Sequence, residues 1–196
     1  MRQFRLKQGI VSKISQKLSS VEPERTGLRL AAVAVIIKND ESPGLLFIKR
    51  ADRRGDPWSG QVAFPGGKRK DGDATARETA ARETLEEVGI DLNKSARFLG
   101  YAESAITHTG SMKVVPAVYV LTEEVAVHQN NEVASHRWIA LRDLVSPDSR
   151  SSYHLDYGGQ EVEMPALAID GFIVWGLTHR ILSGLLPELI GPREHR

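Results

Sequence analysis

The sequence predicts an α/β protein, and three stretches carry that prediction. Residues 30–37 form a continuous apolar, β-branched run, which is typical of a buried strand. A turn at 41–44 leads to a partner strand at 45–49, and further strands are predicted at 97–101, 113–122 and 137–139. Between them, residues 64–90 read as a glycine turn that leads into a helix. Strands that flank a helix in this way favour an α/β domain.

Composition narrows the class of protein. The 196 residues suit one domain with short additions, and 41% hydrophobic with 26% charged residues is ordinary for a soluble protein. The net charge of +1 gives no basic field for nucleic acid. The absence of cysteine excludes disulfides, thiol catalysis and cysteine-ligated zinc.

From the sequence we expect no membrane span and no secretory leader. Its longest apolar run, 30–37, is far shorter than the roughly 20 residues that cross a bilayer. The N-terminus is basic but lacks the apolar region of a signal peptide, so we expect a cytoplasmic protein. Residues 2–21 have mixed helical spacing and predict an amphipathic helix packed on the domain. A basic helix lying on a membrane surface is the weaker alternative.

Three acids lie together on the central helix. At 100° per residue, Glu83, Glu86 and Glu87 fall within an arc of about 100°. Like charges at this spacing repel, so a positive partner is expected beside them. Carboxylates clustered on a rigid element suit hard cations such as Mg²⁺ or Mn²⁺. The alternative is a solvated helix end, since Glu is a good helix former.

The bounds of this helix also follow from the sequence. Asp73 is an acceptable N-cap residue, and Gly89 suits the position just after the helix. Between them, the small-residue face that should lie against the sheet consists of Ala76, Ala80, Thr84 and Val88.

The same segment resembles the Nudix box. That pattern runs Gly, five residues, Glu, seven residues, Arg-Glu-aliphatic-any-Glu-Glu-any-Gly-aliphatic, and the matching positions are Gly67, Arg82, Glu83, Glu86, Glu87, Gly89 and Ile90. Asp73 stands where the first Glu belongs, eight residues rather than seven separate it from Arg82, and Thr84 replaces the aliphatic residue. The many fixed positions make this motif more specific than a lone glycine turn.

This resemblance implies a fold and a domain plan. The fold would be the Nudix α/β/α sandwich, a mixed β-sheet between helices, with N- and C-terminal helices added. We expect an N-terminal helical extension at 1–27, the Nudix core at 28–146, and a C-terminal hairpin and helix at 147–196. In that last part a hairpin is predicted around 158–159, followed by an apolar helix over 169–190 whose regular part ends at Pro187. The apolar helix packs on the core or on a second subunit, which would make a homodimer.

The resemblance also implies the chemistry, a pyrophosphohydrolase that uses Mg²⁺ or Mn²⁺. Glu83, Glu86, Glu87 and the backbone carbonyl of Gly67 would hold the metal, and water would attack one phosphorus of a diphosphate. Arg82 would orient Glu83 through a charge-assisted pair rather than contact substrate. Glu132 is the candidate general base or further metal ligand, and a turn residue after two asparagines is the alternative for it.

Within the family, the chain is most similar to the coenzyme A pyrophosphatase branch. The matching residues are Leu45, Leu46, Arg50, Ala51, Gly60, Phe64, Pro65, Gly66 and Gly67, with further similarity in Pro165–Leu167, Asp170–Gly171 and 174–182. The spacing from Arg50 to Gly60 is one residue longer than that branch's pattern, which displaces its internal arginine to Arg53 or Arg54. The implied reaction cleaves coenzyme A or an acyl derivative to 3′,5′-ADP and 4′-phosphopantetheine.

The long loop before the glycine turn would bind this substrate. Its candidate phosphate clamps are Arg50, Arg53, Arg54 and Lys68, and Trp58 and Phe64 could stack on a base. The alternatives are a solubilising surface for the cations and burial for the aromatic rings. We expect a small nucleoside diphosphate derivative as the partner, with no nucleic acid and no membrane.

Other functions stay open at this point. One is hydrolysis of ADP-ribose or a dinucleotide. A second is a Nudix-fold binding module without catalysis, although such a module would be expected to lose the box carboxylates, which are all present. A messenger-RNA cap hydrolase is disfavoured by the near-neutral charge.

Overall fold

A mixed β-sheet forms the centre of the computed structural model, which describes residues 12, 14–24, 26–38, 40–56 and 58–190. Its strands run in the order β3-β2-β1-β7-β5, with β4, β6 and β8 pairing with β1, β7 and β2. The bounds are β1 Arg29–Lys38, β2 Gly44–Arg50, β3 Val62–Ala63, β4 Gly66–Lys68, β5 Ala96–Tyr101, β6 Ala105–Ile106, β7 Met112–Leu121 and β8 Val133–Ala140.

The pairing of β1 with β7 makes the sheet mixed. These two strands run parallel, from Arg29 opposite Met112 to Ile37 opposite Val120, and the other pairs within the sheet are antiparallel. Four of the five predicted strands match β1, β2, β5 and β7 to within one residue at either end, and the fifth lies inside the longer β8. The predicted α/β fold with a mixed sheet is therefore confirmed.

Successive residues of β1 point to opposite faces of the sheet, and each face has its own core. Ala32, Ala34 and Ile36 join the cluster under helix α1 (Ala76–Val88). Val35 and Ile37 join the cluster on the other face. Because β1 is buried on both faces, its sequence is continuously apolar rather than alternating.

Helix α1 packs through the small-residue face that the sequence predicts. Ala76, Ala80, Thr84 and Val88 are all buried, at one-turn spacing. The Thr84 hydroxyl donates to the Ala80 carbonyl oxygen at 2.7 Å, so a polar residue is tolerated where the family pattern has an aliphatic one. Short helices α2 (Leu92–Ser95) and α3 (Leu141–Leu144) follow α1 and β8.

The C-terminal part covers the opposite face. A 3-10 turn at Pro147–Ser149 leads into a second, three-stranded sheet of β9 (Arg150–Tyr157), β10 (Gln160–Ile169) and β11 (Phe172–Trp175). Helix α4 (Gly176–Ile190) adds Ile181, Leu182 and Leu185 to the core of that face. With α1 on one side and α4 on the other, helices lie on both faces of the sheet.

The predicted helix over 169–190 is wrong in its first third. Asp170 (φ 48°) and Gly171 (φ 81°) form a turn, and 172–175 form a strand in which Phe172 and Val174 are buried while Ile173 is exposed. This alternation of period two indicates a strand. Pro187 also does not end the helix, which continues to Ile190. The hairpin around 158–159 is present, between β9 and β10.

Most of the predicted N-terminal helix lies outside the described residues. Ser12, Ile14 and Ser15 are helical, Ile14 is fully buried, and Ser19 pairs with Tyr101 of β5. Among the described residues, no helix has the length and apolar character needed to cross a membrane.

Candidate active site

Two glycines bring the backbone of β4 close to its neighbours. A Cβ atom at Gly66 would lie 2.3 Å from the Ala32 carbonyl oxygen, and one at Gly67 would lie 2.6 Å from Cδ of Glu83. Neither position leaves room for a side chain. The Phe-Pro-Gly-Gly stretch therefore holds its main chain against both β1 and the acidic helix.

Helix α1 begins two residues later than predicted. Thr75, not Asp73, is the N-cap, and its Oγ1 accepts a hydrogen bond from the Glu78 amide at 3.1 Å. Asp73 fails as the cap because its carboxylate is engaged elsewhere. The end of the helix is as predicted, since Gly89 follows it in the left-handed conformation (φ 71°).

Asp73 is a buried acid that holds Arg82. Its Oδ1 accepts from Arg82 Nε at 3.0 Å and its Oδ2 accepts from Arg82 Nη2 at 2.8 Å. Oδ2 also accepts from the Lys70 amide and from Thr79 Oγ1. The hydrogen bonds from Arg82 hold the pKa of Asp73 far below its usual range. The acid at the altered position of the box thus fixes the orientation of the arginine.

Arg82 in turn bridges two of the box glutamates. Its Nη1 donates to Oε1 of Glu83 at 2.6 Å and to Oε1 of Glu86 at 3.2 Å, and Lys70 Nζ lies 3.3 Å from Oε2 of Glu86. Partial burial acts to raise the pKa of Glu86, but the hydrogen bonds from Arg82 and Lys70 outweigh it and lower this pKa. Arg82 and Lys70 therefore supply part of the positive charge that the sequence predicts beside the acids.

Glu87 is the buried member of the three acids. Only 2% of the residue is exposed, and its Oε2 accepts a hydrogen bond from the Gly66 amide at 2.9 Å. Burial raises the pKa of Glu87 to about 7, against the lowering effect of the Gly66 amide and of the Arg50 charge. The Gly-Gly turn is thus hydrogen-bonded to Glu87 and lies close against Glu83.

These groups form an oxygen-rich set that suits a hard cation. Within the described part of the chain, no three Asp, Glu or His side chains converge tightly enough to enclose an ion. Nevertheless, Arg82 Nη1 bridges Glu83 and Glu86. These two carboxylates therefore lie close enough together to contact a single positive group. Carboxylate and carbonyl oxygens are the ligands that Mg²⁺ and Mn²⁺ prefer.

A loop from 128 to 132 packs on the C-terminal end of α1. The His128 amide donates to the Val88 carbonyl oxygen, and the backbone amide and Nδ2 of Asn130 donate to the carbonyl oxygens of Glu87 and Glu86, all at 2.9 Å. These bonds satisfy carbonyls that a helix end leaves open. Glu132 lies in this loop, and its charge is among those that raise the pKa of Glu87, after burial as the main cause. The candidate base is therefore a neighbour of the acidic helix.

The three arginines of the long loop have different surroundings. Arg50 Nη2 pairs with Asp56 at 2.8 Å, and the side chain is three-quarters buried. Arg53 pairs with Glu132 at 3.1 Å. The Arg54 side chain is exposed and has no ion pair or hydrogen bond within the part of the chain that is described. The structure therefore brings Arg53, the first of the two matches for the displaced arginine, to Glu132 in the loop that packs on the end of the acidic helix.

The two aromatic candidates also differ. Phe64 is 2% exposed and stacks on Phe47 with ring centroids 4.8 Å apart, so burial, not base stacking, is its role and the predicted substrate contact is wrong. Trp58 is 40% exposed, which leaves its ring accessible. Lys68 has an exposed side chain, and its carbonyl oxygen accepts from Arg82 Nη2 at 3.1 Å.

Sequence reasoning missed the partners of the site residues. Lys70, Asn130 and Asp56 were not among the candidates, although each contacts one of them. No local signal marks Lys70 or Asn130, because their contacts join segments far apart in the chain. Asp73 can be identified from the sequence, because it occupies the position of an acid in the box. The sequence does not indicate its role.

A mixed sheet with helices on both faces, and a Gly-Gly turn held against two of three clustered helix glutamates, defines the class of the Nudix hydrolases. The chain belongs to the NUDIX domain family, whose pattern matches residues 28–156.

Several proteins are similar to this chain. The Nudix hydrolase NudL of Yersinia enterocolitica is 31% identical over 160 residues, which are 81% of this chain and 80% of NudL. NudL of Photorhabdus laumondii is 33% identical over 165 residues, 82% of this chain and 85% of NudL. The Schizosaccharomyces pombe protein C14C4.10c is 36% identical over 152 residues, and the match spans 46% of its length.

One solved structure shares the fold over nearly the whole chain. A MutT/nudix family protein from Enterococcus faecalis has a TM-score of 0.55 and 16% identity, with 99% of this chain and 78% of that one covered. At this identity the likeness supports the α/β fold alone.

Proposed function

We propose that this protein is a divalent-metal-dependent hydrolase that cleaves the diphosphate linkage of coenzyme A or an acyl-coenzyme A. The observation that carries the chemistry is the position of the Gly66–Gly67 turn, which lies close against Glu83 and is hydrogen-bonded to Glu87. It holds acidic side chains and a main-chain turn together in the segment that matches the Nudix box. The family match and the NudL relatives support hydrolysis as the reaction class.

Each residue has a defined part in this proposal. Glu83, Glu86, Glu87 and the Gly67 carbonyl oxygen would hold Mg²⁺ or Mn²⁺, which when bound supplies charge neutralisation at the phosphoryl oxygens and a lower pKa for the attacking water. Arg82, fixed by Asp73, orients Glu83 and Glu86. Glu132 accepts the proton that the water loses as its oxygen bonds to phosphorus. The bridging P–O bond then breaks, which leaves two phosphate monoesters.

The substrate is proposed from the resemblance to the coenzyme A pyrophosphatase branch, which covers residues on both sides of the box. Products would be 3′,5′-ADP and 4′-phosphopantetheine. The longer spacing between Arg50 and Gly60 favours a second candidate, another nucleoside diphosphate derivative such as ADP-ribose, because this loop would recognise the non-reacting part of the substrate. A homodimer and a cytoplasmic location stay predictions.

A substrate panel tests this proposal. Coenzyme A, acetyl-coenzyme A, ADP-ribose, NADH and diadenosine polyphosphates are incubated with Mg²⁺ or Mn²⁺, and products are resolved by chromatography and phosphorus NMR. We expect coenzyme A to have the highest kcat/KM, and Glu86→Gln to lower turnover by about 100-fold or more.

Two controls make the result interpretable. Glu124→Gln removes one charge from an exposed position outside the site and should leave turnover unchanged. Thermal unfolding should show that both variants are folded. Retained activity in Glu86→Gln would overturn the assignment of the site, and binding without hydrolysis of any diphosphate would indicate a non-catalytic module.

A further inference from the structure

An ion pair joins the long loop after β2 to the loop that packs on the end of the acidic helix. Arg53 Nη1 donates to Oε1 of Glu132 at 3.1 Å, and Arg53 Nη2 donates to Oδ1 of Asn131 at 3.4 Å. The arginine belongs to the long loop after β2, and the two acceptors belong to the loop before β8. A candidate phosphate-binding cation is thus paired with the candidate general base.

The backbone of Glu132 is fixed without help from this ion pair. Its amide donates to Oδ1 of Asn130 at 2.8 Å, and its carbonyl oxygen accepts from the Ala51 amide at 2.8 Å. Asn130 is itself bonded to the carbonyl oxygens of Glu86 and Glu87. If Arg53 leaves, the Glu132 main chain therefore keeps its place relative to the box carboxylates.

The backbone of Arg53 is fixed as well. Its amide donates to Ser59 Oγ at 2.9 Å, and its carbonyl oxygen accepts from Ser59 Oγ at 2.8 Å and from the Asp56 amide at 3.1 Å. Only the long, rotatable side chain of Arg53 is free to change partners.

The pair is weak enough to be exchanged. The side chains of Arg53 and Glu132 are 44% and 42% exposed, and exposed pairs shift an equilibrium by only about two- to five-fold. A diphosphate offers a guanidinium more negative charge and paired oxygens at the spacing of its fork. The anion should therefore outcompete a single exposed carboxylate.

We propose that Arg53 exchanges partners when substrate binds: it pairs with Glu132 in the free protein and with the diphosphate in the complex. This inference rests on the function proposed above and identifies the diphosphate as the part of the substrate that triggers the exchange. Binding of the anion then removes the cationic partner from Glu132, so the base is released only when a phosphoryl group is present.

A double-mutant cycle on binding tests this exchange. The probe is α,β-methylene-ADP, a nucleoside diphosphate that cannot be cleaved at its bridge, titrated by calorimetry at one fixed Mg²⁺ concentration. Arg53→Ala should weaken probe binding by about tenfold, since it removes a charge-assisted hydrogen-bonding partner. Glu132→Gln should tighten binding about two- to five-fold while it lowers turnover, because Arg53 no longer has to leave a carboxylate.

The decisive measurement is the effect of Glu132→Gln in the Arg53→Ala background. General electrostatic effects of Glu132, and any effect on the metal, are present in both backgrounds and cancel in the comparison. We expect the tightening to be at least about twofold larger when Arg53 is present. Equal effects in the two backgrounds, or weaker binding by Glu132→Gln when Arg53 is present, would overturn the exchange.

A second exposed ion pair provides the matched control. Arg137 Nη1 lies 2.8 Å from Oδ2 of Asp170, and these side chains are 42% and 71% exposed. Arg137→Ala and Asp170→Asn make the same charge changes as Arg53→Ala and Glu132→Gln, but away from the candidate site. They should leave probe affinity unaltered. Failure of the wild-type protein to bind the probe would contradict the proposed function itself, whereas binding without coupling would overturn only the partner exchange.

Discussion

The Cα atom of Gly67 faces the carboxylate of Glu83 so closely that an added methyl group would lie 2.6–2.9 Å from all three of its terminal atoms. The neighbouring Gly66 faces backbone instead, since a methyl group added there would lie 2.3 Å from the Ala32 carbonyl oxygen and 2.6 Å from Val33 Cα. The two glycines are adjacent in sequence, yet each leaves room for a different group: Gly67 for the carboxylate of Glu83, a candidate metal ligand, and Gly66 for the packing of β4 on β1.

Alanine substitutions should separate these two roles. In Gly67→Ala the Glu83 carboxylate can rotate away at little cost in stability, so we expect turnover to fall by about 10- to 100-fold while the unfolding free energy changes by less than about 1 kcal/mol. In Gly66→Ala the backbone cannot yield, and stability should fall by about 2 kcal/mol or more. Urea unfolding measures the stability of each variant, and an assay of metal-dependent turnover measures its activity. Equal loss of stability in the two variants would contradict this distinction.

Asp73 should support stability in a way that depends on pH. Both of its oxygens accept hydrogen bonds, whereas an asparagine must place an NH₂ group against a donor. We therefore expect Asp73→Asn to cost about 1–3 kcal/mol at pH 7.

The pH dependence follows from the lowered pKa of Asp73. The stability this acid contributes is fully present well above its ordinary value of 3.8 and is lost as pH falls from there towards the lower pKa of the folded state. The difference between the wild type and Asp73→Asn should thus be constant from pH 7 to pH 5 and shrink below pH 4. Urea unfolding at several pH values checks this, and a difference that grows on acidification would contradict the role given to Asp73.

Much of the sheet could be predicted because its residues obey local rules. The strand β1 is buried on both faces and therefore reads as an unbroken apolar run, and the one-turn spacing of Ala76, Ala80, Thr84 and Val88 predicts the buried face of α1. The prediction of a helix from residue 169 was wrong because the sequence there fits both a helix and a strand. Residues 169–182 are apolar at spacings that suit a helix, and only the Asp170–Gly171 turn indicated the hairpin.

The candidate site was predictable as a set of acids but not as a network. Helix periodicity alone places Glu83, Glu86 and Glu87 together. That Arg82 reaches both Asp73 and the glutamates depends on the conformation of residues 69–75, which no periodicity describes. The same limit explains the wrong prediction for Phe64, since its partner Phe47 lies in β2, a separate segment of the chain.

The two aromatic residues predicted to stack on a base should respond differently to alanine. Phe64→Ala removes a buried ring stacked on Phe47 and should cost about 3–5 kcal/mol of stability. Trp58→Ala removes an exposed ring and should cost less than about 1 kcal/mol. If the Trp58 ring stacks on the base of the substrate, KM should rise by about 5-fold or more. Unchanged KM in Trp58→Ala would exclude the ring as a substrate contact.

The shorter acid at position 73 occurs together with a longer spacing to Arg82. The family pattern has Glu followed by seven residues, and this chain has Asp followed by eight, yet the Asp73 oxygens reach Arg82 at 2.8 and 3.0 Å. We infer that the extra residue brings the main chain near enough for the shorter side chain. Restoring the family's glutamate alone would add a methylene to a buried, fully bonded site, which typically costs about 1–3 kcal/mol.

We accordingly expect Asp73→Glu to lower both stability and turnover, although it matches the family pattern more closely. Deleting Ala74 in the same variant restores the seven-residue spacing and should recover part of both, because the longer side chain then starts farther from Arg82. Urea unfolding and turnover of the two variants measure this compensation. Wild-type behaviour of Asp73→Glu alone would show that length and spacing are not coupled here, since the pocket around Asp73 would then have room for either acid.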